Sequence, residues 1–218
     1  MSAVPDTKSP PPALVTRRTL LAAGLAVVVI AAIALDTKVV KIGSEHDARE
    51  QAFSKDAFGA AEFPKVQADV EKRAVKAEEL AAAIIADKAA AGKKFGVATT
   101  TGPVLPVSFT GVVGERKGNM NTIKVAGIPD DVTVRLQTGP AINGTDLRDA
   151  TGQIVFGQFK NQIEYQDAGS ALNLEMKKQA LAGIDPEALA GKTVEVTGVF
   201  KLINPKNWMV TPVKVTVQ

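Results

Sequence analysis

The sequence contains no cysteine, and that absence excludes disulfide bonds, thiolate metal sites and cysteine nucleophiles together. It contains one histidine, His46, which lies between Glu45 and Asp47 in a polar stretch. Three adjacent residues do not supply the separated ligands that zinc sites use, so we predict neither a metal site nor a cofactor. A Ser-His-Asp triad would also depend on His46. Because no catalytic arrangement is recognisable, we predict that the protein is not an enzyme.

Aromatic residues are scarce, and a strong charge of either sign is absent. Aromatics make up 5% of the chain, so the core must be built from Val, Ile, Leu and Ala. Residues 36–102 hold eleven basic and eleven acidic side chains, and residues 103–218 hold twelve and eleven. A nucleic-acid-binding domain normally has a basic face. The near neutrality after residue 35 therefore argues against a nucleic-acid partner.

Long apolar runs are absent with one exception, the sixteen uncharged residues Leu20–Leu35. Arg17 and Arg18 directly precede this run, and positive charge is kept on the cytoplasmic side of a membrane. The polar, Pro-rich residues ahead of it cannot bury a core. We therefore predict a disordered cytoplasmic tail at 1–19, a transmembrane anchor or export signal at 20–35, and a periplasmic remainder.

Two fates of this segment are open. A membrane span typically needs roughly 17–25 residues, and long flanking side chains can extend the reach of a short run. An uncleaved segment makes the chain a single-pass protein of the bacterial inner membrane, which residues 20–35 then contact. Alternatively, Ala32-Ile33-Ala34 fits the small-x-small pattern of signal cleavage, which would release a soluble periplasmic protein. The sequence leaves open the twin-arginine and the general export routes.

Residues 36–102 are predicted to form a helical stalk or hairpin. Phe63-Pro64 is placed at a helix start, because Pro is favoured in the first helical turn and apolar residues follow at helical spacing. A second helix is predicted from Ala77 to Ala91, since Ala and Leu are strong helix formers. Gly92 is predicted to end it.

Residues 103–218 are predicted to form an α+β domain with a small OB-like antiparallel barrel. Apolar and polar residues alternate in three segments, and again in two segments at the end, with turn residues between them. Helical spacing at 167–181, with a short helix at 185–191, fills the connection between strands three and four. Three strands, a helical connection and two strands is the order of an OB barrel. A small open α+β sheet has a similar order. We expect a fragment that begins near Gly102 to fold by itself.

Two glycines and one proline interrupt these strand patterns. Gly111 and Gly198 stand inside strands, where glycine marks the tight bends that a small barrel needs. Pro212 breaks the last strand and indicates an edge or a bulge.

Several blocks of sequence are similar to a known family. They are Leu35-Asp36-Thr37-Lys38-Val39-Val40, Leu147-Arg148-Asp149-Ala150 with the following Gly152, Ile154, Phe156, Phe159, Asn161, Gln162 and Tyr165, and Ala171-Leu172-Asn173. These blocks resemble a domain-of-unknown-function family of predicted periplasmic lipoproteins, over nearly all of the chain after residue 35. Members are often encoded beside sugar-type ABC transporters, so the resemblance implies a role near sugar uptake. A lipoprotein needs a cysteine at its processing site, and the absence of cysteine therefore excludes lipidation here.

One group of polar residues within these blocks is a candidate site for a ligand or a partner. Its members are Arg148, Asp149, Asn161, Gln162, Tyr165 and Asn173. Such side chains offer the hydrogen bonds and the ring contact that a neutral, hydroxyl-rich ligand needs. Alternatively, they cap the connection and satisfy buried backbone groups, which is the commoner use of polar residues in long connections.

The sequence favours a membrane-anchored periplasmic accessory or binding module. Its expected partners are the inner membrane and, from the resemblance, components of an ABC-type sugar uptake system or a sugar itself. The alternative is a periplasmic hydrolase that uses a carboxylate pair such as Asp149 and Glu164. Carboxylates are common in the chain, and no spacing distinguishes these two.

Overall fold

The computed structural model describes residues 17–36 and 53–218, and the chain divides into two units, residues 1–52 and 53–218. In the first unit, helix α1 spans Arg17–Asp36. Its large apolar side chains are exposed, from 48% at Val29 to 89% at Leu35. Within the described residues, none of the helices combines the length and the apolar character that crossing a bilayer requires. His46 and the predicted tail up to Thr16 lie outside these residues.

The second unit begins with helices and one very short strand. They are α2 (Lys55–Arg73), β1 (Val75–Lys76), α3 (Ala77–Ala86) and α4 (Lys88–Phe95). The Ser54 hydroxyl caps α2 by accepting a hydrogen bond from the Ala57 amide at 3.3 Å. The prediction that a helix starts at Phe63-Pro64 is wrong, because this cap starts α2 earlier and Pro64 lies inside the helix. Sequence patterning missed Ser54 because the first turns of α2 are mostly exposed.

The prediction of one helix from Ala77 to Ala91 is also wrong. The chain leaves the helical conformation at Asp87, where φ is −157° and ψ is 103°. The Asp87 carboxylate accepts hydrogen bonds from the amides of Ala89 and Ala90, at 2.8 and 3.0 Å, and so starts a new helix. Gly92 lies inside α4, whose C-terminal cap is Gly96. Aspartate favours such a cap over a helix interior because its side chain competes for backbone amides.

Five strands and a helical connection make up the rest of the unit. The strands are β2 (Val104–Lys117), β3 (Met120–Val125), β4 (Thr133–Gln137), β5 (Thr193–Lys201) and β6 (Asn207–Val217). Between β4 and β5 lie α5 (Asp146–Asp149), a 3-10 turn at Phe156–Gln158, and α6 (Gln162–Ala180).

The five long strands close into a barrel. The order is β2, β3, β4, β6, β5, and β5 pairs again with β2. This closing ladder is antiparallel and extends from Val104 opposite Lys201 to Val112 opposite Thr193. β4 and β6 are parallel, and the other pairs of long strands are antiparallel. The predicted α+β class is confirmed, as is the order of three strands, a helical connection and two strands. The barrel is not antiparallel throughout as predicted, because the long connection brings β6 beside β4 in the parallel direction.

Two hydrophobic clusters stabilise this unit. The first joins alternate barrel residues to α3, and it includes the fully buried Leu80. In it the Trp208 indole stacks on Phe200 with ring centroids 4.7 Å apart and donates to the Pro205 carbonyl oxygen at 2.9 Å. The second cluster joins α2 to α6 and to the opposite side of the strands, with Phe63 fully buried. The segment predicted as a helical stalk or hairpin packs on the barrel, since residues 53–102 belong to the same compact unit as the strands.

The connection between β4 and β5 differs in detail from the predicted one. Helix α6 begins at Gln162, five residues before the predicted start, because Asn161 caps it. The amphipathic pattern did not reveal this start, since Gln162 and Ile163 are exposed in the first turn. The short helix predicted at 185–191 is wrong, because the backbone there forms turns. The bulge predicted at Pro212 is confirmed, since the pairing with β5 shifts register beside Gly198.

Candidate functional site

A cavity of about 510 Å³ lies beside the start of the β4–β5 connection. Strand β5 contributes Lys201 at its end, α5 contributes Arg148 and Asp149, and α6 contributes Tyr165. The remaining lining residues come from three loops and are Val97, Ala98, Thr99, Thr100, Thr101, Thr145, Gly152, Ile154 and Val155. Three separate parts of the sequence therefore meet here.

Arg148 and Asp149 form a close ion pair in the cavity wall. Nε and Nη2 of Arg148 both lie 2.8 Å from Oδ1 of Asp149. The two side chains are only 10% and 11% exposed, so this pair is screened little by water. Arg148 also donates from Nη1 to the Tyr165 carbonyl oxygen at 3.1 Å. These contacts fix the guanidinium plane and leave further N–H donors of Arg148 to meet a ligand.

The aromatic ring of Tyr165 covers the guanidinium group. The central carbon of the Arg148 guanidinium lies 3.7 Å from the ring centroid, which is a close cation–π contact. The same ring contacts Phe156 and Phe159, with centroids 5.7 and 5.4 Å away. A half-buried ring that is held on several sides presents a rigid apolar surface to the cavity.

A second cation and a second carboxylate extend the pair. The Lys201 ammonium lies 3.4 Å from Oδ2 of Asp149 and 3.6 Å from Oδ1 of Asp146. Oδ2 of Asp149 also accepts a hydrogen bond from the Thr145 hydroxyl at 2.8 Å. We call Arg148, Asp149, Lys201 and Asp146 the charged cluster. Its two cations and two carboxylates give no net charge when all four are ionised.

Asp146 is the most enclosed member of the charged cluster, with a side chain that is 6% exposed. Burial raises the pKa of the Asp146 carboxyl, the Lys201 ammonium opposes this rise, and the nearby Asp149 carboxylate adds to it. The net effect is a pKa above the usual value, because desolvation penalises the charged form most.

Of the six residues predicted to form a site, the structure brings Arg148, Asp149 and Tyr165 together at this cavity. Asn161 and Gln162 lie at the exposed start of α6, where the Asn161 side chain accepts from the Glu164 amide at 2.9 Å. Asn173 is buried and donates to the Gly144 carbonyl oxygen at 2.9 Å. Asn161 and Asn173 therefore hold the connection in place by contacts to the backbone.

Sequence reasoning missed Lys201, Asp146 and Thr145. Asp146 could have been predicted, because it directly precedes the block that begins at Leu147 and lies three residues before Asp149. Lys201 could not be predicted as a site residue, because the alternation of β5 only indicates an outward-facing side chain at the end of the strand. Only the pairing of β5 with β2 in the closed barrel determines where Lys201 lies.

The carboxylates considered as a hydrolytic pair line different cavities. Asp149 lines the cavity of the charged cluster, and Glu164 lines a neighbouring one of about 440 Å³. Glu164 instead accepts a hydrogen bond from the Lys160 amide at 3.0 Å. Among the described residues, no three side chains of His, Cys, Asp or Glu are grouped as metal ligands.

Comparisons with known proteins agree with this architecture. A family described as "Predicted periplasmic lipoprotein (DUF2291)" matches residues 25–216. Solved structures include an OB-fold protein from Thermotoga maritima MSB8, which is 19% identical in sequence with a TM-score of 0.61. The match covers 77% of this chain and 100% of that protein. At that identity the likeness concerns the fold alone. No curated protein matches the chain.

Proposed function

We propose that this chain, which belongs to the family of predicted periplasmic lipoproteins, is a periplasmic accessory module. We further propose that it binds a small, neutral, hydroxyl-rich ligand. The proposal is carried by the three members of the charged cluster that line the 510 Å³ cavity, which are Arg148, Asp149 and Lys201. Cavities that hold small ligands are typically about 300–1,000 Å³ in volume, with a few convergent polar groups. The proposed role is binding rather than catalysis.

The balance of charge favours a neutral ligand. An anion would meet the Asp149 carboxylate in the cavity wall, and a cation would meet Arg148 and Lys201. A polyhydroxylated molecule uses both signs, because each hydroxyl both donates and accepts. The Thr99, Thr100 and Thr101 hydroxyls and the Tyr165 ring at the cavity suit the polar edges and the apolar face of a sugar ring.

A stabilising role alone explains the charged cluster less well. Enclosed ion pairs contribute little net stability, because the desolvation of each charge offsets the attraction between them. Three of the charged side chains, Arg148, Asp149 and Lys201, also line a cavity, where a hydrophobic replacement would avoid that cost. A group of charges that is costly to build and accessible from a cavity is typical of a binding site.

Isothermal calorimetry of the full chain with pentoses and hexoses tests the proposal. Arg148→Lys keeps the charge but loses the paired N–H donors and the stacking on Tyr165, so we expect affinity to fall at least tenfold, or about 1.4 kcal/mol. Arg116→Lys is the control, because Arg116 is a half-buried arginine that donates to Thr138 and Gly139 away from this cavity. Absence of heat with every sugar would refute sugar binding. Equal affinity losses in both variants would refute a role for Arg148.

We further propose that residues 17–36 attach the unit to the outer face of the cytoplasmic membrane. The support is Arg17-Arg18 ahead of the run, the exposed apolar side chains of α1, and the absence of a cysteine for lipidation. Sixteen helical residues extend only about 24 Å, less than the hydrocarbon thickness of about 30 Å. A segment of this length therefore needs local thinning of the bilayer and arginine stems that reach its surface.

Cysteine labelling in cells tests this attachment. The chain has no cysteine, so Ser44→Cys provides a unique thiol that we expect to react with a membrane-impermeant reagent. Protection of that thiol from the reagent in intact cells would contradict a periplasmic location. The N-terminal sequence of the mature protein distinguishes an anchor from a cleaved signal, since cleavage after Ala34 leaves Leu35 first.

The associated uptake system is the third part of the proposal, and it rests on the family resemblance alone. We expect a transporter component or a solute-binding protein to co-purify with the attached chain. Unchanged sugar uptake after deletion of the gene, together with no co-purifying component, would refute the association.

A further inference from the structure

Three large apolar side chains are exposed in the segment that runs from the 3-10 turn to the first turn of α6. Val155, Phe156 and Ile163 are 49%, 50% and 70% exposed, and we call them the apolar patch. The other large, exposed hydrophobic side chains of residues 53–218 are scattered singly, on α3, β2, α6 and the loop after β5. They are Ile85, Val112, Leu174 and Ile203. Clustered apolar exposure, unlike scattered exposure, indicates an interaction surface.

The apolar patch is linked to the point where the chain enters the folded unit. The Phe53 ring contacts Phe159 at 5.8 Å between centroids, Phe159 contacts Tyr165 at 5.4 Å, and Tyr165 contacts Phe156 at 5.7 Å. Phe53 is the first residue of that unit. A continuous series of aromatic rings therefore connects the start of the fold to the patch.

We infer that the apolar patch docks on the lipid surface of the membrane to which the chain is attached. Residues 37–52 join Phe53 to α1, so the fold is tethered at the aromatic end of this surface. Segments of sixteen residues reach at most about 55 Å, which keeps a tethered surface at high effective concentration near its target. The inference rests on the proposed attachment through residues 17–36.

The segment that carries the patch has no net charge, as expected if apolar contacts alone hold it on a lipid surface. Between residues 155 and 165 the only charged side chains are Lys160 and Glu164, which cancel. Binding at a bilayer interface increases with the apolar area buried and with the attraction of basic residues to anionic lipids, and this segment offers only the first. We therefore expect docking to be insensitive to the fraction of phosphatidylglycerol in the bilayer.

Single-cysteine variants of the full chain in vesicles test the inference. Ile163→Cys is labelled with a polarity-sensitive fluorophore, and Ile203→Cys is the matched control, because Ile203 is 64% exposed on the loop after β5. The vesicles contain phosphatidylethanolamine and phosphatidylglycerol, with brominated acyl chains as quenchers. We expect the label at 163 to shift to the blue and to be quenched severalfold more strongly than the label at 203. Adding Phe156→Ser to Ile163→Cys should reduce both effects.

Flotation of the same vesicles separates this inference from the proposed attachment. Chains that float while neither label is quenched overturn docking by the patch and leave the attachment intact. Chains that fail to float overturn both. A label at 163 that shifts only in vesicles made from native membranes, without quenching by brominated lipid, overturns lipid docking in favour of a protein partner.

Discussion

At the scale of single residues, the two carboxyls of the charged cluster differ in their contacts and in their burial. Asp149 contacts Arg148, Thr145 and Lys201 at distances between 2.8 and 3.4 Å. Asp146 is more enclosed, and the nearest cation, the Lys201 ammonium, lies farther away, at 3.6 Å. For Asp146 the cost of burying a carboxylate therefore exceeds the compensation from Lys201, and this is why its pKa rises.

The raised pKa predicts how stability depends on pH. With a folded-state pKa above the unfolded value of 3.8, the folded state binds more protons than the unfolded state in the interval between them. Stability from Asp146 is therefore fully present below pH 3.8 and is lost as pH rises through the folded-state pKa. Asp146→Asn removes this loss of stability. The loss amounts to about 1.4 kcal/mol in the free energy of unfolding for each unit by which the pKa is shifted.

The measurement is the free energy of unfolding in urea as a function of pH. We expect the stability of Asp146→Asn relative to the wild type to increase as pH rises above 3.8. Asp130→Asn, at an exposed turn residue, is the control and should show no such trend. A constant difference between Asp146→Asn and the wild type at all pH values would contradict the assignment.

At the scale of elements, α6 depends on its cap. The Asn161 side chain accepts from the Glu164 amide at 2.9 Å and so satisfies one of the free donors of the first turn. We expect Asn161→Ala to reduce the free energy of unfolding by about 1 kcal/mol, with sugar affinity unchanged. Gln162→Ala, at the exposed neighbouring position, is the control and should be nearly neutral, as should Asn161→Asp, which keeps an acceptor. Loss of affinity at unchanged stability would instead assign Asn161 to the binding site.

The bend of β5 depends on glycine for a steric reason. A Cβ atom on Gly198 would lie 2.6 Å from the Thr211 carbonyl oxygen and 2.8 Å from the Val210 side chain. Because the Thr211 carbonyl oxygen belongs to the backbone of the paired strand, it cannot move without disturbing the ladder. We expect Gly198→Ala to reduce the free energy of unfolding by about 1–3 kcal/mol or more.

Gly114→Ala is the matched control for that prediction. A Cβ atom on Gly114, also inside a barrel strand, would lie 3.5 Å from its nearest neighbour, which is an ordinary contact. We expect a change within about 0.5 kcal/mol in urea unfolding, apart from the small effect of glycine itself. Equal losses at both positions would show that close approach does not explain the effect at Gly198.

At the scale of the whole unit, the barrel shares its hydrophobic clusters with the helices that precede it. Phe63, Val66 and Val70 of α2, and Leu80 and Ile84 of α3, are at most 3% exposed. Burying each such side chain is worth about 1.5–3 kcal/mol, so together they rival the typical total stability of about 5–15 kcal/mol. The expectation that a fragment from Gly102 folds by itself does not agree with this packing.

Two fragments test the dependence of the barrel on the helices. We expect residues 53–218 to unfold in one cooperative transition, and residues 103–218 to show no cooperative transition in urea monitored by circular dichroism. The exposed apolar surface of the shorter fragment should also bind a hydrophobic dye. If the shorter fragment unfolds cooperatively with stability close to that of the longer one, the helices are dispensable to the barrel.

The strand order was predictable from sequence because strand alternation is local. A period of two shows which face of each strand is buried, and glycine, proline and asparagine mark the turns. The helix starts set by the caps Ser54 and Asp87 were harder to predict from the sequence. Each depends on one side chain competing with the backbone, a signal that an amphipathic pattern averages away.

By itself the sequence determined the apolar segment, the order of strands and the neutral charge after residue 35, since all three depend on composition and short-range periodicity. Only the tertiary structure decided the site. Lys201 is 52 residues from Asp149 along the chain, and their contact exists because β5 closes the barrel against β2. The packing of α2 against α6 likewise joins segments about a hundred residues apart. Contacts between residues so far apart in sequence depend on the path of the whole backbone, and no local sequence pattern predicts them.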